Sequence, residues 1–213
     1  MTDKKFTDNE GPLWIFAIGL VPGLAVALIQ FILSWAEFSQ ISKFTSMKIK
    51  GVLNTRDEEE YYRDLITAAQ SKIDVLGVTA SRFASDFSNE NSTREDKKVL
   101  IRALERGVKV RILVPTSNHL SARDRTEKFP ISERVFGSLS QKYPNLMLRY
   151  FDHKAYTALV RVDDDALFGP VFDNVESRHT PAIHAQCSSV LSQSYLEHFK
   201  IEWNAATPFQ QQS

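Results

Sequence analysis

Residues 156–172 read YTALVRVDDDALFGPVF. Two apolar runs, Tyr156–Val162 and Ala166–Phe172, flank Asp163-Asp164-Asp165. Residues of this kind favour turns, so the spacing predicts a β-hairpin. Arg161 and Asp163 stand two apart and share one strand face. They read either as a pair that grips a polar ligand or as an internal ion pair that pins the hairpin.

Upstream of the hairpin, apolar runs alternate with amphipathic ones. Strands are expected at Ile73–Val78, Val108–Val114 and Asn145–Phe151. Helices are expected at Arg56–Gln70, Thr93–Glu105 and Ser132–Lys142, with Gly107 closing the second. The Ser-, Asn- and Asp-rich stretch Ser81–Thr93 reads as a loop. Downstream, a short strand is expected over Ala182–Cys187, then a helix over Val190–Trp203 with Leu191, Tyr195, Phe199 and Trp203 on one face. Helices between strands imply parallel crossovers. The expected fold is α/β: three layers built on a mainly parallel mixed sheet.

At the other end of the chain, residues 11–36 carry no charge: GPLWIFAIGLVPGLAVALIQFILSWA. About 20 apolar residues cross a bilayer as a helix. Trp14 and Trp35 stand near the two ends, where indole rings settle at headgroup level. One transmembrane helix is expected, preceded by a short tail (1–10) and followed by a juxtamembrane segment (37–49), the folded domain (50–206) and a C-terminal tail (207–213). A cleaved signal would have a shorter core and a small-x-small site. Lys43, Lys48, Lys50 and Arg56 follow the helix, against Lys4 and Lys5 before it, so the domain is expected on the cytoplasmic side of the cell membrane. Gly19, Gly23 and Ala27 form a small-residue stripe that would let two helices approach.

Composition excludes little, because 26 basic residues balance 26 acidic ones. Cys187 is the one cysteine, so no intrachain disulfide exists. His179 and His184 lack ligand-like neighbours in sequence, and no glycine-rich phosphate loop is present. Neither a metal nor another cofactor is expected. If parallel strands carry a site, it lies past their carboxyl ends. That edge gathers Thr79, Ser81 and Arg82, then Thr116, Ser117 and Asn118, then Asp152, His153 and Lys154, with Tyr156 close by. Hydroxyls and cations around one crevice suit a phosphate or nucleotide.

The order of elements resembles one repeat of the phospholipase D superfamily over residues 50–206. Active members of that family carry His-x-Lys-x-x-x-x-Asp followed by Gly-Ser. The best register here places Asp163 at the Asp, Ala158 at the Lys and Tyr156 at the His, with Gly169 kept and Pro170 in place of Ser. A phenol is a poor nucleophile at neutral pH, so the resemblance implies a catalytically inactive domain. Adjacent His153 and Lys154 point to opposite sides of an extended chain and do not restore the motif. Degenerate phospholipase D-like domains of bacterial regulators and phage-defence proteins are a closer likeness. Their Arg-x-Asp-Asp, Pro-x-x-His and Tyr-x-x-x-Phe-x-x-x-Trp match Arg161–Asp164, Pro181–His184 and Tyr195, Phe199 and Trp203. That likeness implies a sensor of a phosphorylated or nucleotide ligand. It also implies a homodimer or higher homo-oligomer, because the family builds its site between two repeats. Tethering of a cytosolic protein partner, and a phosphodiesterase or nuclease with an atypical site, are the other functions considered.

Overall fold

The computed structural model describes residues 11–173 and 175–209, so the expected 1–10 tail lies outside the described residues. The chain divides into two units at Ser46/Met47.

The first unit is one helix, α1 (Gly11–Ser46), with Pro22 inside it. It runs ten residues past the uncharged stretch, through the segment expected to be a polar juxtamembrane link. Leu20–Ser39 is long and apolar enough to cross a membrane. Gly23 and Ala27 are exposed on it, while the surroundings of Gly19 lie outside what is described.

The second unit is an eight-stranded sheet with helices on both faces. In chain order it runs β1 (Ile49–Leu53), α2 (Glu59–Ala68), β2 (Lys72–Leu76), α3 (Ser81–Phe87), α4 (Val99–Glu105), β3 (Lys109–Pro115), α5 (Phe129–Lys142), β4 (Leu146–Phe151), β5 (Thr157–Val162), β6 (Asp165–Pro170), β7 (Ala182–Gln186), α6 (Val190–Ala205) and β8 (Thr207–Pro208). Spatial order is β1-β7-β6-β5-β2-β3-β4-β8. The layers and the mixed sheet are as expected, but the sheet is not mainly parallel. Only β2–β3 and β3–β4 pair in parallel. The tight β5–β6 turn forces antiparallel pairing, and β7 and β1 continue it.

Two core clusters flank the sheet. Ile73, Val75, Val110, Ile112 and Val160 face helices α2 to α5. Leu76, Leu113, Leu159, Phe168 and Ala185 face α6, where Phe199 and Trp203 are buried. The aromatic stripe of the last helix is therefore core, as its spacing suggested.

Other differences from the sequence reading have local causes. Ser81–Phe87 is helical because Phe83, Ala84 and Phe87 bury one face, which outweighs its polar composition. Thr207–Pro208 pairs with β4, and Phe209 fills the space that Gly137 leaves beside α5.

Candidate functional site

The carboxyl ends of β2 and β3 and the amino end of β5 meet at one edge of the sheet. A cleft of about 1250 Å³ opens there and includes Ser81, Arg82, Arg123, Lys128, Lys154 and Arg178. A smaller cavity of about 100 Å³ lies against it, and both are lined by Thr79, Ser81, Arg82, Ser177 and Arg178. Ala158 forms part of the cavity wall.

The broad cleft is not a simple basic patch. Arg82 faces Asp57 and Asp86, each at 3.4 Å. Lys154 faces Asp173 at 3.4 Å. Arg123, Lys128 and Arg178 converge on Glu176 at 2.8, 3.4 and 2.8 Å. Every one of these cations has a carboxylate neighbour.

Arg56 differs. It precedes α2, lies on the α2–α5 side of the sheet and is only 8 % exposed. Its Nη1 donates to Thr180 Oγ1 at 2.7 Å and to Ser177 O at 3.3 Å, and its Nη2 donates to Pro170 O at 3.2 Å. Among the described residues no carboxylate pairs with it. Its wall neighbour Tyr62 is neutral at physiological pH, because burial pushes the phenol up to about 12. Burial likewise lowers the pKa of the Arg56 guanidinium, against small favourable effects of Tyr62 and Tyr195. Gly169 makes this placement possible, since a Cβ there would lie 2.5 Å from Arg56 Nη2 and 2.6 Å from Pro181 O.

The expected site residues separate into two groups. Ser81, Arg82 and Lys154 reach the cleft, and Ala158 reaches the cavity. Thr116 and Ser117 do not line either: the Thr116 hydroxyl bonds Asp152, and Ser117 O accepts from Arg125. His153 also departs from expectation. Its Nε2 meets Glu202 of α6 at 2.9 Å, its Nδ1 lies 2.8 Å from Lys154 O, and its ring packs on Phe151. Burial would lower its pKa, but the contacts with Lys154 O and Glu202 win and raise it. Tyr156 is 69 % exposed and lines neither space.

Arg161 and Asp163 lie away from the cleft, because β5 runs antiparallel to β2 and carries them toward its opposite end. Nor do their side chains pair. Asp163 accepts from the N–H groups of Gln70, Ser71 and Lys72 and from Ser71 Oγ, knitting the hairpin turn to the start of β2. Burial alone would raise this carboxyl, but those hydrogen bonds hold it at about 2. The backbone of Asp163 is left-handed, with φ of 49°. Arg161 donates to Asp163 O and faces buried Asp74 at 3.9 Å.

Arg56 and Arg178 also line these spaces, yet sequence reasoning placed Arg56 among the charges flanking a membrane helix and at the start of the expected helix Arg56–Gln70. Its role depends on a glycine more than a hundred residues away, which periodicity does not link to it.

No protein-family model matches the chain, and no curated protein sequence does. Solved structures do. An archaeal chromatin protein, TrmBL2, described as binding DNA in a novel mode, aligns over 98 % of this chain and 76 % of its own, with 16 % identity and a TM-score of 0.51. Nuc from Salmonella typhimurium, a phospholipase D family member, aligns over 71 % of this chain and 90 % of its own (18 % identity, TM-score 0.46). NucT from Helicobacter pylori aligns over 75 % and 98 % (15 % identity, TM-score 0.47). These similarities concern fold.

Proposed function

We propose that this chain is a membrane-anchored, catalytically inactive phospholipase D-like protein whose folded domain binds a phosphate-bearing ligand, nucleotide or other. One observation carries the reading: Arg56 is buried beside a cavity with its charge met only by neutral oxygens. A buried cation is costly unless paired, so an anion entering the cavity is favoured. The cavity is too small for a whole ligand, and typical ligand sites span about 300–1,000 Å³. It suits one phosphoryl group of a molecule whose remainder lies in the adjoining cleft.

Absence of turnover follows from the residues at the motif positions. Tyr156 is exposed and Ala158 has no functional group. His153 has both ring nitrogens engaged away from the cavity, which disfavours the alternative of an atypical hydrolase. Anchoring rests on Leu20–Ser39 and cytoplasmic orientation on the lysines that follow it. A homo-oligomer formed through the Gly19, Gly23 and Ala27 stripe would let ligand binding report at the membrane, in keeping with a role in phage defence.

The test is thermal stability of the detergent-solubilised full chain against nucleotides, cyclic oligonucleotides and lipid headgroups. A ligand of the native state at about 100 times its Kd adds about 2.7 kcal/mol. Arg56→Met should abolish that gain. A flat panel with a co-purifying protein would instead establish the tethering function.

A further inference from the structure

Glu176 sits where three cations from two chain segments meet. Arg123 and Lys128 belong to the cleft wall, while Arg178 shares the short turn that carries Glu176. The carboxyl is held below the usual range: its burial opposes this, but Lys128, Arg178 and Arg123 prevail. The same turn is tied to the cavity. Arg56 N–H and Thr55 Oγ1 both donate to Arg178 O, and Arg56 Nη1 donates to Ser177 O.

On the reading that a phosphoryl group enters beside Arg56, we infer that Glu176 is an internal anion filling a second phosphate position in the cleft. Arg123, Lys128 and Arg178 are already gathered around one carboxylate, so little reorganisation is needed to receive another anion. A phosphoryl group brings more charge and more acceptor oxygens than a carboxylate, and guanidinium groups bind it in two-pronged fashion. The ligand class is therefore a molecule with two separated phosphoryl groups. One group enters the Arg56 cavity, and the other displaces Glu176. Because one turn holds both positions, displacement of Glu176 is felt at Ser177 and Arg178, against which Arg56 is seated.

Calorimetric titration of inorganic phosphate into the full chain in detergent at low salt tests this. The wild type should bind one phosphate per chain. Glu176→Gln should bind two, the second about tenfold more tightly than any residual second binding in the wild type. Adding Arg123→Gln and Lys128→Gln to Glu176→Gln should return the count to one. A single phosphate of unchanged affinity in Glu176→Gln overturns the inference. Tripolyphosphate provides a measurement that needs no change at Glu176. It should bind the wild type about tenfold more tightly than phosphate, an advantage lost in Arg123→Gln/Lys128→Gln; an advantage that persists there overturns the inference. If the wild type binds no phosphate but Glu176→Gln binds one that survives Arg56→Met, the Arg56 reading fails while the Glu176 position stands.

Discussion

Two buried charge clusters lie on opposite faces of the same sheet, and they are built differently. On the α6 face, Asp74 is held by Arg111 through bonds of 2.6 and 2.8 Å, with Arg161 at 3.9 Å. Arg111 lies over Phe199 and Trp203, at 4.8 and 5.1 Å from the ring centroids. Charge there meets opposite charge, and aromatic rings seal it. On the other face, Arg56 meets only hydroxyl and carbonyl oxygens and borders a cavity. The first cluster is complete in itself, whereas the second lacks a counter-anion. A buried ion pair is satisfied within the fold, whereas a buried cation with only neutral partners can still gain from an anion.

Breaking the complete cluster should cost the most. Asp74→Ala strands Arg111 and Arg161 and should destabilise the chain by about 3 kcal/mol, read by urea unfolding with phosphate absent. Gly169→Ala attacks the incomplete cluster through its backbone seat. A Cβ would meet Arg56 Nη2 and the Pro181 carbonyl, so a loss of about 2 kcal/mol is expected, together with loss of ligand stabilisation.

Asp163 sharpens the contrast through pH. Its folded pKa of about 2 lies below the unfolded value, so its stabilisation is full above about pH 4 and disappears as pH falls through 2. This carboxylate is partly exposed, so about 1 kcal/mol is expected after screening. Asp163→Asn should flatten the acid limb of stability between pH 4 and 2 while leaving ligand binding intact. The smallest stability effect belongs to Arg56→Met. Among the described residues Arg56 has no carboxylate partner to strand, and its removal relieves the cost of burying a charge while losing those hydrogen bonds, so unfolding without ligand should shift by under about 1 kcal/mol. The melting-point gain from phosphate should nevertheless vanish. A large loss without ligand would make Arg56 structural, like Arg111.

Much of the strand and helix order was legible in the sequence. Period-two runs around Asp163–Asp165 and the spacing of Tyr195, Phe199 and Trp203 depend on neighbours close in the chain. For the same reason, a long uncharged helix over residues 11–36 could be read directly. Sheet order could not, because pairing of β5 with β2 and of β1 with β7 joins distant segments. The site followed the same division. Ser81, Arg82 and Lys154, read from strand ends, line the cleft, but His153 turned to Glu202 and Asp163 to the backbone of residues 70–72. What the sequence by itself determined is the local layout: one apolar helix and an α/β alternation. Tertiary structure decided which charges find partners. Burial and pairing are set by side chains brought together from far along the chain, as Gly169 and Thr180 are around Arg56.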